Sequence, residues 1–134
     1  MTNEKLQPSM PEVGDFFASS GGYDQTNVHF YRVTKVTAKS IWLQPWTQTT
    51  VEDNGGPVTY VKPGSSPVMI ADQDDPRYGS ADYWERQACR RIEAPSRMHR
   101  FDPARGYARM SSYEWAQPVA PDATMYQTGA GWGH

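Results

Sequence analysis

A single cysteine, Cys89, stands in this chain of 134 residues. One thiol excludes an intramolecular disulfide and any multi-cysteine zinc site. No apolar run reaches the length that crosses a bilayer as a helix, and no charged-then-apolar leader precedes a cleavage signal. The expectation is a cytoplasmic protein with no membrane contact. Strong charge of one sign is also missing: the formal net charge is −2, which by itself excludes no class of partner. Hydrophobic residues make up only 37%, but 13% of the chain is aromatic, with five Trp and eight Tyr. Such side chains bury much area each, so one compact core is feasible at this length. Eleven Gly and eleven Pro argue against long helices and for many turns.

Catalytic constellations are missing too. The histidines His29, His99 and His134 are scattered. His29 alternates within a strand pattern and reads as a surface imidazole. Nothing in the spacing pairs Cys89 with a base. Asp72, Asp74 and Asp75 lack the oxygen-ligand spacing, the sixth-position Gly and the closing Glu of a calcium loop, so they read as a solvated acidic loop. Gly21-Gly22 is followed by neither Lys-Ser/Thr nor a helix signal, so it is no phosphate cradle. The sequence therefore calls for no enzyme, no metal and no cofactor.

What is present is strand and turn. Val13, Phe16 and Phe17 flank Gly14-Asp15 and suit a short strand. Residues 19–27, SSGGYDQTN, break the periodicity with turn formers. Gly22, Asp24 and Asn27 are expected to organise that turn. Val28–Thr37 is the strongest strand signal, and Thr37-Ala38-Lys39 reads as a tight connection. Ser40–Trp46 then alternates Ile41 and Leu43 against Trp42 and Gln44, a period of two that sets one face to the core. Phe16, Phe30, Val33 and Ile41 are the expected core residues.

The run Val13-Gly14-Asp15-Phe16-Phe17, then Gly22-Tyr23-Asp24-Gln25-Thr26-Asn27-Val28, then Phe30-Tyr31, resembles a family of small proteins of bacteriophages and mobile elements. Tyr107-Ala108-Arg109-Met110 to Trp115 and Pro118 is similar to the family's closing strand and Trp-containing turn. The likeness is specific in the first third and thin after Val51. The chain departs from the family pattern at Gly21, where an aromatic is expected, at Ala116-Gln117, where Asp-Gly is expected, and in its longer middle. The resemblance implies an all-β domain of phage-like origin, acting in a bacterial host cytoplasm. It implies no activity.

Further along, Thr47–Gly56 is polar and ends in Asn54-Gly55-Gly56, a turn. Val58–Val61 is a short strand signal, Pro63–Pro67 a loop, and Val68–Ala71 a short apolar run before the acidic loop. Ser80–Arg91 reads as a helix with Asp82 as cap and Glu85 three residues on, or as a strand over Gln87–Glu93, which the family comparison favours. Residues 94–106 and 118–122 read as loops. The predicted organisation is a frayed tail over 1–11, one β domain over 12–127 and a Gly-rich tail over 128–134. The fold class is mainly β: a single small antiparallel barrel or strongly curved sheet with long loops and at most one short helix.

The charge layout carries the functional reading. Arg86, Arg90, Arg91, Arg97, Arg100, Arg105 and Arg109 face only Glu93 and Asp102 across residues 86–109, and Lys is absent there. Arg binds carboxylates and phosphates bidentately. With the aromatics Tyr78, Tyr83 and Trp84 nearby, the expected partner-binding residues are Tyr78, Tyr83, Trp84, Arg86, Arg90, Arg91, Arg97 and Arg100. The first reading is a non-enzymatic phage-type accessory protein that binds and modulates a host protein. The alternative is a small-barrel nucleic-acid binder using residues 86–109. The plain structural explanation is that these arginines pair internally with Asp72–Glu85 or simply solvate the surface. A second alternative starts from Gln25-Thr26-Asn27-Val28-His29-Phe30-Tyr31, which looks like the peptide that docks into bacterial DNA sliding clamps, with Gln25 at the pocket rim and Val28, Phe30 and Tyr31 in an apolar groove. The same residues form the best strand, and a strand that fills its own core cannot also enter a groove.

Overall fold

The computed structural model describes residues 10–21, 27–53, 58–111 and 114–128. Ten strands and one helix follow in order: β1 (Phe16–Gly21), β2 (Asn27–Val36), β3 (Ser40–Asp53), β4 (Val58–Pro67), β5 (Met69–Ala71), α1 (Tyr83–Gln87), β6 (Arg91–Glu93), β7 (Arg97–Asp102), β8 (Tyr107–Arg109), β9 (Trp115–Val119) and β10 (Met125–Thr128). The strand order β3-β2-β1-β9-β8-β7 closes back on β3 as a six-strand antiparallel barrel, with β4 and β10 extending from β3. Closure removes the free edges that six short strands would otherwise expose.

β3 makes the closure work because one of its edges serves two partners. Ser40–Leu43 pair with Arg97–Arg100 of β7, whereas Trp46–Asp53 pair with β4. Its other edge takes β2, from Val36 opposite Ile41 to Phe30 opposite Trp46. Residues 47–53, read only as polar and leading to a turn, continue β3. Thr and Val are β-branched and favour extended backbone even where one face is wet. Pro63–Pro67 is likewise strand. Gly64 permits it by lying against Thr47, with Trp46 Nε1 donating to the Gly64 carbonyl at 2.9 Å.

Alternation along the strands builds two cores. Phe17, Val33, Ile41, Leu43, Phe101, Ala108 and Ala116 fill the barrel. Phe17 and Phe101 meet edge to face at 5.9 Å, and the alanines on β8 and β9 leave room for them. On the opposite side of β1 and β2, Ala18, Val28 and Phe30 pack with Val61 of β4, joined by Trp46, Val119 and Met125. Phe30, Val33 and Ile41 are thus core, as expected. Phe16 is not: it is half-buried, edge to face with Trp46 at 5.9 Å and under the Arg32 guanidinium. Its neighbour Phe17 has the interior position.

The tight connection at Thr37 forms, with Thr37 N–H donating to the Ser40 carbonyl at 2.9 Å. Gly22 and Asp24 of the preceding turn lie outside the described residues, and Asn27 opens β2 opposite Gly21. β7 lies within the segment 94–106 read as loop, β9 runs from Trp115 into the loop read from Pro118, and β10 ends at Thr128, where the tail was expected to begin. Their prolines and arginines hide the pattern, but Pro118 sits opposite Phe17 at a register position the sheet tolerates.

Candidate functional site

Where β3 exchanges β7 for β4, a two-stranded arm leaves the barrel. Its root is pinned by three hydrogen bonds: Val68 N–H to the Pro45 carbonyl at 3.0 Å, Ala94 N–H to the Val68 carbonyl at 2.8 Å, and Gln44 Nε2 to the Ala94 carbonyl at 2.9 Å. β5 and β6 then pair, Met69 with Glu93, Ile70 with Ile92 and Ala71 with Arg91.

The segment 72–90 folds on its own carboxylates. Asp72 accepts Asp74 N–H at 2.9 Å and the Arg90 guanidinium through Nε at 2.9 Å and through Nη2. Asp75 accepts Arg77 N–H at 2.9 Å and Arg90 N–H at 2.8 Å. Arg77 Nη1 reaches the Ala88 carbonyl at 2.8 Å. These contacts correct the reading of a solvated acidic loop: Asp72 is buried and both carboxylates are occupied. The Arg90 hydrogen bond, then the Asp74 amide, hold the Asp72 carboxyl below its ordinary range. The amides of Arg90 and Arg77 do the same for Asp75.

α1 is shorter than the helix read over Ser80–Arg91, and the strand read over Gln87–Glu93 begins only at Arg91. Both sequence readings are therefore partly met, because Asp82 starts a helix that cannot continue. The Asp82 side chain caps Trp84 N–H at 2.8 Å and Glu85 N–H at 3.3 Å, the N-cap chemistry expected of it. Glu85 turns back to accept the Ser80 hydroxyl at 2.7 Å. No residue of α1 is buried. Trp84 is 76% exposed and Tyr83 56%, their rings edge to face at 5.1 Å.

The predicted partner residues now separate. Tyr78, Tyr83, Arg86 and Arg91 converge, with Ala71 and Gln87, on a hollow of about 500 Å³. Trp84 lines the neighbouring face with Arg77 and Pro76. Arg90, though exposed, is closed onto the buried Asp72 carboxylate. Arg97 and Arg100 stand apart on β7, paired with Leu43 and Ser40 of the barrel. Among the described residues no ion pair engages Arg86, Arg91, Arg97 or Arg100. Internal pairing thus accounts for Arg90 and for Arg105, which meets Asp102 at 3.5 Å, but not for those four. Asp72, Asp75 and Arg77, which shape the arm, were not among the expected site residues. Their signal is the Asp-x-Asp and Asp-x-Arg spacing, in which a carboxylate closes on the amide two residues ahead.

Val28 and Phe30 lie in the second core and Tyr31 is half-buried against the first. In this fold these side chains are not free to fill a groove on another protein, and Gln25 lies outside the described residues. At one barrel end Ser19 Oγ donates to Glu114 Oε2 at 2.8 Å, beside Tyr31, whose hydroxyl is pushed up by burial and then by the Glu114 charge. His29 stands opposite Ser19 in register. The Ser19–Glu114 bond links β1 to the start of β9.

No helix among the described residues is long and apolar enough to cross a membrane. Comparison with protein-family models, curated proteins and solved structures finds no match for this chain.

Proposed function

We propose that this chain is a non-enzymatic accessory protein, of the phage type its N-terminal third resembles, that binds a host protein in the bacterial cytoplasm and modulates it. The arm of β5, α1 and β6 is the gripping surface. The observation that carries this reading is the exposure of Trp84 and Tyr83 on an arm whose helix buries nothing of its own. Trp, Tyr and Arg are the residues that most often anchor protein interfaces. Tyr78, Arg86 and Arg91 border the same hollow, and neither arginine has an ion pair among the described residues. The Asp72–Arg90 and Asp75 contacts hold the arm in shape before binding, which lowers the ordering cost on association.

Capture from bacterial lysate by the immobilised protein tests the reading. The expected result is a protein retained after nuclease treatment and lost with Trp84→Ala and with Arg86→Glu/Arg91→Glu, both variants unfolding as the parent does. Capture that nuclease abolishes, or that both variants retain, rejects the arm as a protein-docking surface. Binding to purified sliding clamp, lost in a folded Gln25→Ala variant, would instead assign the surface to the segment before β2.

A further inference from the structure

The linear arginine cluster is split by the fold, and its second half lies on the barrel. On β3, β7, β8 and β9 the residues facing the interior are Ile41, Leu43, Phe101, Ala108 and Ala116. Alternation therefore turns Trp42, Met98, Arg100, Tyr107, Arg109 and Trp115 outward. The register joins them: Trp42 is opposite Met98, Ser40 opposite Arg100, and Arg109 opposite Trp115. The pairing of Phe101 with Ala108 sets Arg100 beside Arg109. Flat rings and cations are interleaved in direct contact. Lys35 Nζ lies 4.6 Å from the Trp42 ring, the Arg109 guanidinium 5.4 Å from Trp115, and Arg105 donates to the Tyr107 hydroxyl at 3.2 Å. Tyr107 and Trp115 meet edge to face at 4.5 Å.

We infer that this outer barrel face binds single-stranded nucleic acid. Tyr107 and Trp115 lie beside Arg109, with Arg100 on the adjoining strand β7, and Trp42 lies on β3 beyond it, where the barrel wall curves away. Rings that stack bases, alternating with cations that meet phosphates, are the elements by which sheets hold single strands. Charge complementarity favours this occupant. Of the nearby acids, Asp102 is paired with Arg105, and Glu114 keeps its charge on the Ser19 hydroxyl; Lys35, Arg100 and Arg109, with no ion pair among the described residues, outnumber it and face an anion. Among the described residues no helix rises from these strands to enter a duplex groove. This surface is independent of the arm and does not rest on the function proposed above.

Fluorescence anisotropy with labelled oligo-dT and oligo-U, a matched duplex and polyglutamate tests it. Single strands are expected to bind more tightly than duplex or polyglutamate. Their log affinity should fall with log salt at a slope of about −2, near −0.7 for each of three phosphates. Trp115→Ala should weaken binding about five-fold or more, Arg100→Ser/Arg109→Ser should weaken it and flatten the salt slope, and Trp84→Ala should leave it unchanged. The Arg variants alter only exposed positions, so they remain informative if Trp115→Ala is unstable. Absence of binding at about 50 mM salt, equal or tighter binding of duplex or polyglutamate, or folded Trp115→Ala and Arg variants that bind as the parent does, each overturns the inference.

Discussion

The Arg90 guanidinium, mostly in water, closes on the Asp72 carboxylate, whose side chain is only 6% exposed. This pair joins the two ends of a segment whose helix buries no residue, and it helps an arm of two three-residue strands and one five-residue helix to hold a shape.

The arm should loosen in acid while the barrel stays folded. Asp72 and Asp75 both titrate below the usual carboxylate range because they accept hydrogen bonds in the folded arm. Such groups stabilise above the unfolded carboxyl value of about 3.9, and that contribution is lost as pH falls through the folded values. In an NMR titration the amides of Asp74, Arg77 and Arg90 should lose their dispersed shifts before those of Phe30 and Val33. Arg90→Ala should reproduce the arm's loosening at neutral pH with the barrel's unfolding midpoint unchanged.

The two cores should respond alike to truncation, and Phe16 should not. Phe17 and Phe30 are fully buried in separate clusters, so each Phe→Ala change should cost about 3–5 kcal/mol. Phe16→Ala should cost about 1–2 kcal/mol, because Phe16 is only half-buried. Urea unfolding of the three variants measures this ranking. A cost for Phe16 equal to that of Phe17 would mean that the β1 alternation is reversed.

Mild acid should weaken the barrel through His99. Burial, followed by the Arg97 charge, holds its imidazole below the usual value, and only the bond to the Arg109 carbonyl at 3.3 Å opposes them. The unfolded chain then binds the proton more readily, so stability is full above about pH 6.5 and falls as pH drops through the folded value. Thermal unfolding between about pH 7 and pH 5 should show this loss in the parent and a smaller one in His99→Gln.

Gly64 should tolerate no side chain. A Cβ there would collide with Thr47 Oγ1 and stand 3.0 Å from the Thr47 carbonyl oxygen. Gly64→Ala should destabilise by about 1–3 kcal/mol. Thr47→Ala in the same chain should restore part of that, because it removes the hydroxyl but leaves the carbonyl. Full restoration in the double variant would show that the backbone contact costs nothing.

From the residues alone the chain reads as a small antiparallel barrel or strongly curved sheet with at most one short helix, and the structure is such a barrel. Local chemistry suffices for that reading: Val28–Thr37 is rich in β-branched and aromatic residues, Ser40–Trp46 alternates with a period of two, Thr37–Lys39 reads as a tight connection, and Asp82 is a helix cap. The sequence also named Phe30, Val33 and Ile41 as core and placed Tyr83, Trp84 and Arg91 among candidate contacts. Tertiary structure alone decided the rest. Phe16 and Phe17 are equally apolar, and only the register with β2 and β9 says which one enters the barrel. Polar strands such as 47–53 have no inward stripe to read until β4 pairs with them. The arginines of residues 86–109 form one cluster along the chain but two surfaces in space, because β6 ends an arm and β7 closes a barrel. Carboxylate pairing removes Arg90 and Arg105 from the free set, and neither pairing is visible without distances, since long-range contact is set by the path of the backbone and not by residue type.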